Sequence, residues 1–139
     1  MQNSFSPSRA VGFIEQWLKD YQANAGTRGW VIGVSGGIDS AVTSALCART
    51  GLPTLLVEMP IHQHLDQVNR AQEHIRCLQA SHANVDAVCV DLTAVYEGLV
   101  LALPNIDDES GALALANSRA RIRMTALYAL AQQRGALVV

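Results

Sequence analysis

Apolar and polar positions along the chain follow two spacings, and the switch from one to the other marks most of its elements. Val11, Ile14, Trp17 or Leu18, and Tyr21 recur at helical spacing, which predicts an amphipathic helix over 8–22 begun near Ser6 or Ser8. A turn over 24–29 leads into the apolar run 30–34, read as a buried strand; the helical pattern over 41–49 is then closed by Gly51 and Pro53. Residues 54–58 read as a second strand. Beyond Pro60 a polar loop enters a helix over 65–80 whose apolar face is Val68, Ala71, Ile75 and Leu78. Residues 87–90 form a third strand, and 92–103 a helix interrupted by Pro104 and the acidic stretch IDDESG. A long helix over 112–134 follows, Gly135 ends it, and 137–139 begin a fourth strand.

Strands that are unbroken apolar runs, alternating with helices, imply an α/β fold: a doubly wound parallel sheet of Rossmann-like type, covered by helices on both faces. Ligands of such sheets lie beyond the carboxyl ends of the strands, where strand order reverses. The stretch after the first strand lies at that kind of edge. No repeat, low-complexity segment or linker divides residues 1–139, which read as a single domain. The final Leu-Val-Val reads as the first part of an interior strand, so the expected domain is cut short at its C-terminal end.

Composition narrows the chemistry. Half of the 139 residues are hydrophobic, 16% are charged and the net charge is −2, with no basic stripe or tail to suggest nucleic acid. No apolar run reaches membrane-spanning length, and MQNSFSPSR lacks the charged-then-apolar order of a signal peptide, so a cytoplasmic location away from membranes is expected. Cys47, Cys77 and Cys89 are odd in number and widely spaced in apolar surroundings; they read as small buried hydrophobes.

The candidate chemistry sits at Gly33-Val34-Ser35-Gly36-Gly37-Ile38-Asp39-Ser40. Its glycines permit a sharp turn and close approach of backbone to a ligand, and the helix that starts near Asp39 or Ser40 offers unpaired N–H groups to an anion. The lysine of the G-x-x-x-x-G-K-[ST] loop is missing and a carboxylate is present instead. A carboxylate about 4 Å from a phosphate is repelled by about 1 kcal/mol in water and about 4 kcal/mol in a partly buried site. Mg²⁺ offsets this naturally, since it takes one or two carboxylates together with phosphate oxygens. A plainer reading makes Asp39 or Ser40 a helix cap and Gly36-Gly37 a tight turn; it does not account for the arrival of all these residues together at the end of a buried strand.

Ser35-Gly36-Gly37-Ile38-Asp39-Ser40 resembles the SGGxDS loop of the N-type ATP pyrophosphatases, which cleave ATP between the α and β phosphates and activate a substrate as its adenylate. A second stretch, Asn117-Ser118-Arg119-Ala120-Arg121-Ile122-Arg123-Met124-Thr125-Ala126-Leu127-Tyr128, resembles the N-x-x-A-R-x-R-M-x-x-x-Y helix of NAD synthetases. Together they identify the chain as similar to the N-terminal half of the ammonia-dependent NAD synthetases. The resemblance implies an adenine nucleotide alpha hydrolase-like fold, ATP and Mg²⁺ as co-substrate and cofactor, deamido-NAD and ammonia as the other substrates, and a homodimer. It implies Gly33 to Ser40 as the phosphate cradle and Asp39 as a metal ligand. It also matches Arg121 to the arginine that contacts deamido-NAD, with Asn117 and Arg123 as further substrate-binding candidates.

From spacing alone, Arg119 and Arg123 share a helix face while Arg121 points elsewhere, which fits anion binding or plain surface salt bridges. Met124, Leu127 and Tyr128 are expected in a core or a two-fold interface. The chain departs from the family after its second strand, where Glu58-Met59-Pro60-Ile61-His62-Gln63-His64 replaces a basic residue and an L-P-x-G stretch. His62, His64 and Asp66 read as a polar loop entering a helix rather than a metal cluster. The rival functions are a non-catalytic or incomplete ATP-binding module and another amidating pyrophosphatase such as GMP synthetase, against which the 117–128 helix argues.

Overall fold

The computed structural model describes residues 6–104 and 109–139. Four parallel strands, β1 (Trp30–Gly33), β2 (Thr54–Glu58), β3 (Val85–Cys89) and β4 (Leu137–Val138), pair in the order β3-β2-β1-β4. The helices are α1 (Pro7–Ala25), α2 (Ile38–Arg49), α3 (Leu65–Ser81), α4 (Thr93–Ala102) and α5 (Glu109–Arg134). Register pairs Val31 with Leu55 and Ile32 with Leu56, so neighbours across the ladder share a face of the sheet.

That alternation splits the core in two. Trp30, Ile32, Val34 and Leu56 pack with Leu18 of α1, Cys47 and Ala48 of α2, and Ala71, Ile75 and Leu78 of α3. Val31, Leu55 and Val57 pack on the other face with Met59, Ile61, Tyr96 of α4 and Ala131 of α5. The helices that follow β1 and β2 lie on the first face, whereas α5, which leads into β4, lies on the second. Strand order therefore reverses at β1, and the carboxyl end of β1 is the switch point.

Every expected element is present, with shifted ends. Pro7 occupies the first turn of α1, where its missing N–H costs nothing, and Ser6 precedes it without a side-chain cap. Glu109, Ser110 and Gly111, expected in the acidic loop, belong to α5, while Ile106 to Asp108 lie outside the described residues. α2 begins at Ile38, three residues earlier than its apolar pattern, because Gly37 leaves the chain ready to turn helical at once.

Three expectations about burial are corrected. β3 is covered only at Val85, with Asp86 to Cys89 exposed, because it is the edge strand with one neighbour and lies beyond the reach of most helices. On α1 only Leu18 is buried, and Trp17 and Tyr21 stack on each other in solvent with centroids 5.3 Å apart. Of the cysteines, Cys47 alone is buried while Cys77 and Cys89 are exposed; an apolar neighbour in sequence points to the opposite side of a strand or turn of helix.

Burial pushes the Cys47 thiol up to about 12. Burial, and then the charges of Glu58 and Asp91, raise that of Cys89 as well. Because the thiolate is the reactive form, iodoacetamide at mildly alkaline pH is expected to alkylate Cys77 first, Cys89 more slowly and Cys47 only after unfolding. Peptide mapping by mass spectrometry checks that order, and fast native modification of Cys47 would contradict the packing of α2.

Candidate functional site at the carboxyl end of the first strand

The amide of Val34 donates to the Val57 carbonyl at 2.9 Å, carrying the β1–β2 ladder one residue past the strand. The chain must then leave the sheet and start α2 at Ile38. Gly36 makes this possible with φ +80°, and a Cβ there would lie 2.4 Å from the Gln67 carbonyl oxygen of α3, so conformation and space both require glycine. Gly37 precedes the first turn of α2 with φ −91° and ψ 160°, and no side chain caps that turn.

The two serines brace the loop rather than cap the helix. Ser40 Oγ accepts from the Ser35 amide at 3.2 Å and donates to the Gly37 carbonyl at 3.0 Å, while the Gly37 amide donates to Ser35 Oγ at 3.3 Å. With its own proton on Gly37, Ser40 Oγ receives that of Ser35 Oγ across 3.1 Å. The cap reading of Ser40 is thereby corrected. Asp39 is exposed in the first turn of α2, where the helix dipole favours a negative charge. The uncapped N–H groups and the carboxylate thus lie side by side at the mouth of the loop.

A cleft of 310 Å³ separates the loop from α5, lined by Gly33, Val34, Ser35, Met59, Gln63, Ala120, Arg123, Met124 and Leu127. Arg123 is half-buried there, with its Nε donating to the Met59 carbonyl at 3.0 Å. Burial, and then the Arg119 charge, draw its guanidinium below the usual arginine value, yet an arginine stays protonated at any working pH. Arg119 sits over the Tyr96 ring at 5.5 Å.

Arg121 and Asn117 lie apart from the cleft lining. Both are exposed, and Arg121 Nη1 donates to the Asn117 carbonyl one turn back at 3.3 Å. Of the three substrate candidates, the structure brings Arg123 to the loop and leaves Arg121 and Asn117 together on another face of α5. Leu127 packs beneath Gly33, but Met124 and Tyr128 are 51% and 61% exposed, so neither is core.

His62 pairs with Glu97 at 3.2 Å, His64 precedes α3 and Asp66 lies in its first turn. Among the described residues no group of three or more His, Cys, Asp or Glu side chains could hold a metal ion. Asp39 is an exposed carboxylate at the mouth of the loop, the donor type that Mg²⁺ accepts beside phosphate oxygens.

A family model described as NAD synthase matches residues 10–139. The chain belongs to the NAD synthase family. It is 33% identical over 131 residues to an NH(3)-dependent NAD(+) synthetase of Mesoplasma florum, covering 93% of this chain and 51% of that protein. It is also 33% identical to the enzyme of the same name from Pyrobaculum aerophilum, covering 99% and 50% respectively. The solved NMN synthetase of Francisella tularensis superposes with a TM-score of 0.87 at 33% identity, over 97% of this chain and 54% of that one. The chain thus spans about half the length of the curated NAD synthases it matches.

Three residues of α3 that meet the loop or the helix it leads into carry no local sequence signal. Gln67 supports Gly36, Arg70 Nε donates to the Gly36 carbonyl at 3.3 Å, and His74 Nε2 lies 2.8 Å from Ser44 Oγ of α2. They flank an apolar face and read as ordinary solvated positions; only tertiary docking reveals them.

Gly36→Ala is expected to lower stability by about 1–3 kcal/mol, from the left-handed φ and the collision with Gln67 together. Denaturant unfolding checks this, and a neutral outcome would mean that the loop is not held against α3.

Proposed function

We propose that these residues form the ATP-cleaving part of an ammonia-dependent NAD synthetase, a ligase of NAD biosynthesis. The observation that carries this reading is the loop at the switch point of a parallel sheet: it leads into an uncapped helix start with a carboxylate in its first turn, and its Gly33 to Ser35 part shares a cleft with an anchored arginine. Family membership supplies the reaction. The nicotinate carboxylate of deamido-NAD attacks the α-phosphate of ATP, pyrophosphate leaves, and ammonia displaces AMP from the adenylate to give the amide.

In this reading Gly33 to Ser40 form the cradle, and the N–H groups of Gly36 and of the first turn of α2 hold the departing pyrophosphate, the Gly37 amide being taken by Ser35 Oγ. Asp39 would hold Mg²⁺, which when bound supplies the positive charge that a lysine supplies in other phosphate loops. Arg123, immobilised by Met59, presents a fixed cation to the same cleft, so that charge stabilisation needs little reorganisation. Arg121 and Asn117 are assigned to deamido-NAD from their exposed face of α5. The exposed Leu113, Met124 and Tyr128 on α5 support a homodimeric contact. Among the described residues no helix is long and apolar enough to cross a membrane. A cytoplasmic location belongs to the same reading, because every substrate it names is a small molecule. We read residues 1–139 as belonging to a single ATP-pyrophosphatase domain.

The Francisella match, an NMN synthetase, favours testing a second acid substrate, the mononucleotide that lacks the AMP half of deamido-NAD. The assay offers the chain Mg²⁺, ATP, ammonium and either acid, and follows amide, AMP and pyrophosphate by mass spectrometry, with Mg²⁺-dependent retention of ATP scored in the same samples. Retention is expected, and Asp39→Ala should weaken it about 100-fold or more, in line with loss of a principal charge-stabilising group. Equal yields of the three products with one acid would name the substrate. A chain that retains no ATP at any Mg²⁺ concentration would overturn the proposal.

A further inference from the structure

The loop is bound to α3 at both of its ends, and the second attachment is unusual chemistry for a helix pair. Gln67, Arg70 and His74 are spaced i, i+3, i+7 and so form one face of α3. Gln67 and Arg70 meet the start of the loop at Gly36. His74 reaches past it to Ser44, whose side chain is wholly buried in α2.

One proton arrangement satisfies all three contacts of the Ser44 hydroxyl. Ser44 Oγ lies 2.7 Å from the Ser40 carbonyl and 3.1 Å from that of Ala41, the back-bonding geometry in which a helical serine donates to the preceding turn. A hydroxyl has one proton, and when it goes to the Ser40 carbonyl the oxygen accepts from His74. Nε2 of His74, 2.8 Å away, must then carry a hydrogen. Burial draws the imidazole below its ordinary value, which favours the neutral ring with one N–H to place.

We infer that Ser44 and His74 are positioning residues for the phosphate loop: the His74 Nε2–H to Ser44 Oγ to Ser40 carbonyl chain ties the first turn of α2 to α3. Ser40 is the residue whose hydroxyl receives the Ser35 amide and holds the Gly37 carbonyl. The chain of hydrogen bonds therefore sets the first turn of α2 and its N–H groups from behind the loop, through the wholly buried Ser44 and through His74, which lines a 480 Å³ cavity with Gly36, Gly37 and Ile38. Arg70 fixes the entry of the loop and His74 its exit, so the cradle is held open before any nucleotide arrives. That matters because a preorganised donor set loses no free energy to rearrangement when the anion binds. The positioning role rests on the reading of the loop as a phosphate site; the hydrogen-bond chain itself does not.

The test compares the wild-type chain with His74→Leu, Ser44→Ala, the double variant and His74→Gln. Gln carries an amide N–H that can replace Nε2–H. Amide hydrogen exchange over residues 35–41 reads the loop itself, and Mg²⁺-ATP affinity reads its consequence. Both single variants are expected to speed exchange in that segment and to weaken ATP binding by about tenfold, the equivalent of one modest hydrogen bond. The double variant should be no worse than the weaker single one, and His74→Gln should recover most of the loss. Nitrogen NMR of the wild-type imidazole should show the Nε2–H tautomer. Unchanged exchange over 35–41 in both single variants, additive losses in the double, or an Nδ1–H tautomer would each overturn the inference. If the wild-type chain retains no ATP, the phosphate-site reading fails by itself, and exchange with the tautomer still decides whether His74 holds the loop.

Discussion

The organisation of this molecule depends on one crowded turn. At Gly36 the backbone swings to positive φ while a carbonyl of α3 occupies the space a side chain would need. That contact lets β1 stop, α2 start and α3 close over the first face of the sheet within a few residues. A larger residue would push α3 away or delay the helix. In either case the unpaired N–H groups of α2 would no longer open at the point where strand order reverses.

Around the turn, polar contacts are local and apolar contacts are global. Hydrogen bonds among Ser35, Gly37 and Ser40 give the loop its shape. The two halves of the core, divided by the alternation along β1 and β2, hold that shape at a defined place between the helix layers. Arg123 shows how the layers cooperate. It belongs to the second face through α5, yet it reaches the end of β1 because Met59, just past β2, accepts its hydrogen bond. Rigid scaffold elements thus present a mobile kind of side chain in a fixed position.

Much of this was legible in the sequence, and the remainder was hidden for identifiable reasons. Periodicity located every strand and helix, because a strand buried on both faces and a helix with one apolar face leave different patterns. The turn at the end of β1 was legible because glycines there permit a sharp exit from the sheet into a helix, and Gly36 takes the positive φ that this needs. Exposure was less legible. Trp17 and Tyr21 fit an apolar stripe but stand in solvent, since periodicity records which face a residue is on and not whether anything covers that face. β3 has the composition of an interior strand and the position of an edge, and position is a property of topology. The attachment of His74 to Ser44 joins residues 30 apart in sequence, a relation that neither local pattern contains.

The exposed flank of β3 bears on how the molecule behaves in company. An unpaired strand edge is a template on which another extended chain can add, and this one carries Ala87 and Val88 in the open. Asp86 sits in the same strand and pairs with Arg134 at 3.4 Å. Any chain zipping onto β3 would have to lie against that charge, which natural sheets use to discourage edge-to-edge growth. The strand that looks least finished is thus also guarded against becoming the first rung of an aggregate.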